Sequence, residues 1–144
     1  MRYTLTPLRR VINALERARI RLGIAPRHRY LLTVAGRRTG RPRTTPVGLV
    51  VNGSEQWLVA PYGEVAWVRN ARAAGIVRLQ RGRRHEVRSI TQADPTVAGP
   101  VLKAYIALEP ITRPSFEVSP DSPPSVFAAE AARHPVFRLA PAGR

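Results

Sequence analysis

The stretch RYLLTVAGRRTGRPRTTPVGLVVNGSEQWLVA, residues 29–60, holds three extended runs separated by two turns. Arg29 to Ala35 reads as a strand, rich in β-branched and large apolar residues. Gly36 to Pro42 is a Gly- and Arg-rich turn. Thr45 to Val51 is a second strand. Asn52-Gly53 is the strongest short hairpin signal in the chain, and Gln56 to Ala60 is the returning strand, stopped by Pro61.

Working outward, Glu64 to Ala73 reads as a short helix ended by Gly75. Ile76–Gln80 and Glu86–Ile90 form a further hairpin around Gly82. Asp94-Pro95 has the form of an N-cap and a first-turn proline. The helix that follows runs to Leu108, with Gly99-Pro100 expected to break or restart it. Residues 109–124 carry five of the fourteen prolines and read as an irregular loop. Ser125 is expected to cap a short helix to Arg133, and Pro135 to Leu139 is a final strand. Upstream, Leu8, Val11, Ile12, Leu15, Ala18 and Leu22 recur at helical spacing, with arginines mostly around the other side. Thr6 is the candidate cap, Pro7 fits the first turn and Gly23 can end the helix. This basic amphipathic helix, residues 1–24, is expected to pack on the domain's own core. Its composition also suits peripheral contact with an anionic membrane. Residues 25–144 then form a single domain: α+β, mostly antiparallel, five or six strands with flanking helices, an open sheet or a small barrel.

Composition narrows the chemistry. The chain has 144 residues, 44% of them hydrophobic, enough for one domain with a real core. Without cysteine there are no disulfides, thiolate chemistry or thiolate metal sites. His28, His85 and His134 are far apart in sequence, and no pair has metal-ligand spacing. No apolar run approaches the ~20 residues of a membrane span, and no secretory signal is recognisable, so a cytoplasmic location is expected. The net charge is +15, carried by 23 arginines and Lys103. Residues 1–43 alone hold twelve arginines and one acid, Glu16. Such a surface implies an anionic partner.

The densest cluster is Gly36-Arg37-Arg38-Thr39-Gly40-Arg41-Pro42-Arg43-Thr44-Thr45-Pro46. Guanidinium groups pair bidentately with phosphate or carboxylate, and Gly36 and Gly40 permit positive φ and close backbone approach. Neither a Walker loop nor a dinucleotide fingerprint is present. The residues alone define an anion cradle on a β-hairpin, with a solvated basic turn as the plainer alternative.

The segments LLTVAGRRTGRPRTTPV (31–47), VVNGSEQWLVAPYG (50–63), EVAWVRNARAAG (64–75) and VRLQRGRRHEVRSI (77–90) resemble, in that order, the deazaflavin (coenzyme F420)-dependent nitroreductase and quinone reductase family of actinobacteria. That resemblance implies an FMN-binding-like split β-barrel and a reductase. Such an enzyme transfers a hydride from reduced F420 to a small unsaturated, quinone or nitro acceptor. It implies that Arg37, Arg38 and Thr39 hold the coenzyme's phosphate and oligoglutamate tail. Arg43, Thr44, Thr45, Pro46, Val47 and Gly48 would pass beside the tail and the ring, and Ala60, Pro61, Tyr62 and Gly63 would face the ring. Ala66, Trp67, Val68, Arg69 and Asn70 would close over it. Trp67 and Asn70 share one helical face, though a core aromatic and an ordinary helix residue are the plainer readings of each. Well-known members carry a Ser-Lys pair where this chain has Tyr62-Gly63, and a tyrosine-rich C-terminal segment where it has Tyr105 and Phe116. No residue stands out as catalytic. A proton could come from water, Tyr62 or Tyr105.

Three alternatives remain open. One is an FMN-binding split-barrel oxidoreductase, whose cofactor needs fewer arginines. Another is a basic nucleic-acid-binding module, for which stacking aromatics are missing. The last is a non-catalytic carrier of the coenzyme. Monomer and homodimer are both compatible with the sequence.

Overall fold

In the computed structural model, which describes residues 7–142, six strands close into an antiparallel barrel. They are β1 (Arg29–Ala35), β2 (Pro42–Asn52), β3 (Glu55–Val59), β4 (Ile76–Arg81), β5 (Arg84–Gln92) and β6 (Val136–Pro141). Around the barrel the order is β1-β2-β3-β6-β5-β4, and β4 pairs back onto β1. The expected hairpins form: Asn52 pairs with Glu55 across Gly53 (φ 63°), and Arg81 with Arg84 across Gly82 (φ 57°). β2 begins at Pro42, three residues earlier than expected. The Gly36 amide donates to the Arg41 carbonyl at 2.8 Å, which closes the turn early and lets residues 42–44 pair with 33–35. Proline is tolerated there because a first strand residue needs no ladder donor.

Alternation along the strands divides the core in two. Leu32, Leu49, Leu58, Leu79 and Phe137 fill the barrel, whose end is packed by Val68 and Ala71 of α2 (Ala66–Ala74). Val50, Trp57 and Val59 point outward against Leu102, Tyr105 and Ile106 of α3 (Pro95–Leu108) and against Phe127 of α4 (Pro124–Phe127).

Helix details depart from expectation at named residues. α3 runs unbroken through Gly99-Pro100. Pro100 is exposed and forfeits one bond, to the Thr96 carbonyl, which water can reach. Gly99 serves packing instead, since a Cβ there would lie 2.5 Å from the Pro124 carbonyl oxygen. Asp94 caps α3 as read, accepting from the Val97 amide at 3.1 Å. α4 starts one residue before Ser125, with Pro123 as its N-cap and no side-chain cap bond, and continues as a 3-10 turn over Ala128–Ala132. Part of the proline-rich loop, Pro110–Ser115, is also a 3-10 turn.

α1 (Pro7–Arg21) meets the barrel through its C-terminal end and through Glu16, which accepts from Arg29 of β1. Ile20 is buried with Ala25 and Leu31, and the Gly82 amide donates to the Ile20 carbonyl at 2.9 Å. Arg81 ties down the link that follows, donating to the carbonyls of Pro26, Ala25 and Arg29. Leu8, Val11, Ile12 and Leu15 stay more than half exposed, so the stripe does not pack on the core as expected. The proposed cap Thr6 lies outside the described residues.

Candidate functional site

A cleft of about 1210 Å³ opens between the β1–β2 turn, the first half of β2, the start of α2, the loop after β3, and the facing parts of α1 and α3. That volume exceeds the range of about 300–1,000 Å³ typical of single-ligand pockets. It has room for a cofactor with a second small molecule beside it.

One wall is cationic. Arg37, Arg38 and Thr39 of the turn and Arg43 at the start of β2 line it. Among the described residues none of these arginines has an acidic partner within ion-pair range. Gly40 adopts φ 73°, whereas Gly36 does not have positive φ. Gly36 is needed for space, because a Cβ would sit 3.1 Å from the Thr39 hydroxyl and 3.3 Å from the Arg41 carbonyl. The amides of Gly36, Arg37, Gly40 and Arg41 are all bonded within the protein. These four amides are therefore not free donors, and the wall's positive charge comes from its guanidinium groups.

Asn70 sets that turn in place. Its side-chain oxygen accepts from the Arg37 amide at 3.1 Å and from Arg37 Nη1 at 2.8 Å, and the residue is only 5% exposed. Its carbonyl oxygen is thus occupied by the turn. Trp67, one helical turn earlier, is half-buried, packs on the barrel core and also lines the cleft. α2 has Val65 at its N-cap with no side-chain cap bond, and Val65 and Ala66 line the cleft. Glu64 and Arg72 clamp the preceding loop through two hydrogen bonds, at 2.7 and 2.8 Å. The bond from Arg72 is the chief reason the Glu64 carboxyl is held below its usual range.

Thr44, Thr45, Pro46, Val47 and Gly48 run along the floor, and Pro61 and Tyr62 form part of the rim. Four of the residues carried over by resemblance do not reach the cleft wall. Ala60 and Val68 are fully buried in the core, Arg69 is exposed elsewhere on α2, and Gly63 shapes the turn with φ 83°.

Of the side chains on the opposite wall, the sequence singles out Tyr105 alone as a candidate proton source. Leu8 and Ile12 of α1, Ile111, and a polar group of Glu16, Arg29, Tyr105 and Glu109 line this wall. Burial opposes the charge on Arg29, but hydrogen bonds and the fields of Glu16 and Glu109 outweigh it and raise its pKa. Burial, followed by the nearby Glu109 and Tyr62, pushes the Tyr105 phenol far above its ordinary range, so it stays a neutral donor. These residues come from distant parts of the chain, Arg29 and Glu109 being 80 positions apart, and α3 brings them together by docking on β2.

The model of the family described as F420H(2)-dependent quinone reductase matches residues 8–102. Among solved structures, an F420-H2 dependent reductase (FDR-A) is 19% identical and superposes with a TM-score of 0.58, covering 79% of this chain and 95% of that one. A protein of unknown function from Agrobacterium tumefaciens is 16% identical, with a TM-score of 0.61 over 99% of this chain and 60% of the other. A FAD-binding protein from Mesorhizobium loti is 13% identical, with a TM-score of 0.52 over 90% of each chain. At such identities these likenesses speak for the split-barrel fold. No curated protein matches the chain.

Proposed function

Because the chain belongs to the F420H(2)-dependent quinone reductase family, whose cofactor is coenzyme F420, we propose that this F420-dependent reductase passes a hydride to a quinone or a similar electron-poor ring in the cleft described above. The observation that carries this reading is the unpaired arginine wall, inside the matched segment, beside a cleft large enough for two ligands. The coenzyme's tail is a phosphodiester followed by carboxylates, and a polyanion suits guanidinium groups that have no acid of their own.

When bound, the reduced deazaflavin supplies a hydride from its C5. The protein's part is to bind, orient and exclude water. Arg37, Arg38 and Arg43 hold the tail, with Thr39 offering its hydroxyl. Asn70 keeps Arg37 in its bound geometry before the ligand arrives. Pro46, Val47 and Trp67 give the ring an apolar bed, and Tyr62 stands at its edge. Holding donor and acceptor in contact can contribute about 7–11 kcal/mol of the barrier.

Stopped-flow oxidation of reduced F420 by 2-methyl-1,4-naphthoquinone tests the reading. The wild-type chain accelerates it, and Arg37→Ala with Arg38→Ala raises the coenzyme concentration needed by at least about tenfold. Absence of any acceleration with quinone, enone and nitroaromatic acceptors overturns catalysis. The exposed apolar face of α1 between basic residues supports a second element, contact with an anionic bilayer from which an apolar acceptor would be drawn. Equal co-sedimentation with anionic vesicles of the full chain and a chain lacking residues 1–24 would sink it.

A further inference from the structure

The wall opposite the arginines carries a group that cofactor binding leaves unused. Glu109 follows the last turn of α3; its Oε1 shares a hydrogen bond with His28 Nε2 at 2.5 Å and accepts from Arg29 Nε at 3.0 Å. Its Oε2 has only a long contact, 3.4 Å, from Arg29 Nη2. Arg29 Nη1 turns away to Glu16 of α1 at 2.8 Å. The Glu109 side chain is 10% exposed and lines the cleft, whereas the His28 ring is 19% exposed and lies behind it. Gly48 of β2 lies under this cluster. A Cβ there would approach the Tyr105 ring to 3.3 Å and both Glu109 and His28 to 3.5 Å.

A purely structural pairing of Glu109 with Arg29 would have no need of the imidazole. Arg29 already has two carboxylates, and His28 adds a titratable group on the same Glu109 oxygen. An imidazole and a carboxyl group sharing one hydrogen bond can hold a proton and hand it on. Hydride arrival on a carbonyl acceptor leaves negative charge on its oxygen, which must gain a proton inside the cleft. The other groups around the pair are Glu16 from α1, Arg29 from β1, Tyr105 from α3, Tyr62 from the loop after β3, and Arg81 of β4 behind the Arg29 carbonyl. Arginine does not release protons. Tyr105 is a donor of hydrogen bonds rather than of protons, since its phenol is held strongly protonated.

We propose that Glu109 and His28 form the proton-delivery pair of this site, with Arg29 as the positioning residue. The proton shared between His28 Nε2 and Glu109 Oε1 passes through the carboxyl group to the acceptor oxygen as the hydride arrives, and His28 then regains a proton from water. The sum balances. The acceptor gains a hydride and a proton, two electrons in all. The reduced deazaflavin is oxidised by loss of the C5 hydride and of a ring proton to water, which equals the proton drawn in through His28. This inference rests on the reductase reading above.

The test uses the full chain with Glu109→Gln and His28→Gln. Coenzyme affinity, read by F420 fluorescence, is expected to stay within about twofold in both variants. The single-turnover rate with 2-methyl-1,4-naphthoquinone is expected to fall about 10²–10⁴-fold in Glu109→Gln. Wild type is expected to show a solvent deuterium isotope effect and a rate that declines with rising pH, and Glu109→Gln to lose both. Infrared difference spectra of the cofactor-free protein, from about pH 5 to 8, should contain a Glu109 carboxyl band that is absent from Glu109→Gln and altered in His28→Gln. Wild-type rate and pH profile in Glu109→Gln, with F420 bound, would overturn the proton role and leave the reductase reading standing. If F420 fails to bind wild type, that reading falls instead, and absence of the Glu109 carboxyl band would separately overturn the shared proton. Should Glu109→Gln not fold, an unchanged pH profile in His28→Gln overturns the proposal.

Discussion

Replacing Asn70 by alanine separates a residue that builds the arginine wall from one that touches the ligand. The side-chain oxygen of Asn70 is the acceptor for both the Arg37 amide, at 3.1 Å, and Arg37 Nη1, at 2.8 Å. Asn70→Ala leaves the amide without its partner, at a cost of about 1–3 kcal/mol. The exposed guanidinium recovers water and costs little. For a chain of this length that loss lowers Tm by roughly 3–10 °C. Arg37 must then be ordered by the ligand, and immobilising such a side chain costs about 0.5–1.5 kcal/mol, a weakening of F420 binding of about 2- to 12-fold. The decisive assay is a double-mutant cycle read by F420 fluorescence titration. In an Arg37→Ala background, Asn70→Ala should weaken binding no further, so the two changes couple by most of the smaller effect. Strict additivity would refute the reasoning, because Asn70 would then act on the coenzyme without Arg37. Asn70→Asp sharpens the distinction: it keeps the acceptor, and hence Tm, but adds a negative charge beside the anion and weakens binding.

Gly99→Ala should destabilise the fold by about 1–3 kcal/mol in urea denaturation, since its Cβ would meet the Pro124 carbonyl at 2.5 Å, and should leave coenzyme affinity unchanged. His134 is buried against Phe116 at 4.0 Å between ring centres, and among the described residues neither ring nitrogen makes a hydrogen bond of full geometry, though the backbone of Pro61, Ala60 and Ser115 lies near. Burial lowers its pKa, against the opposing charge of Glu130. The unfolded chain therefore binds the proton that the folded one refuses. Stability from this group is present above about pH 6.5 and falls as pH drops through the depressed folded value, by at most about 1.4 kcal/mol per pH unit. His134→Phe should flatten that part of the stability–pH curve measured by urea denaturation, and an unchanged curve would show that His134 is not its source. Raising ionic strength from about 0.05 to 0.5 M should weaken F420 binding, and Arg38→Ala should bind more weakly with a shallower dependence. Equal slopes would mean that Arg38 does not meet the charged tail.

What the sequence revealed was local. Asn52-Gly53 and Gly82 specify their hairpins because the turns demand positive φ, and alternation of Leu49 with Val50 and of Trp57 with Leu58 assigns each strand its two faces. The Arg-rich turn was legible as a basic β1–β2 connection, and it lines the cleft together with most of its neighbours in β2. Long-range facts were not legible. Gly99-Pro100 reads as a helix breaker until α4 is seen to need the space. The stripe on α1 reads as core-facing until the barrel is seen to bury Ile20, which lies outside the stripe, and to leave Leu8, Val11, Ile12 and Leu15 exposed. Periodicity defines a face but not its partner. Glu109, Tyr105, Arg29 and His28 come from distant parts of the chain, and only docking of α3 on β2 joins them. Asn70 stood out by its spacing from Trp67, yet its bond to Arg37 spans 33 residues and no local pattern encodes it.

Fluorescence titration of the purified chain with coenzyme F420, with FMN in parallel, tests the central claim most directly. The account predicts saturable F420 binding with a Kd of about 10 µM or tighter, largely lost in the variant carrying both Arg37→Ala and Arg38→Ala, and weaker binding of FMN. Tight binding of FMN with none of F420, or F420 binding indifferent to both arginines, would contradict it.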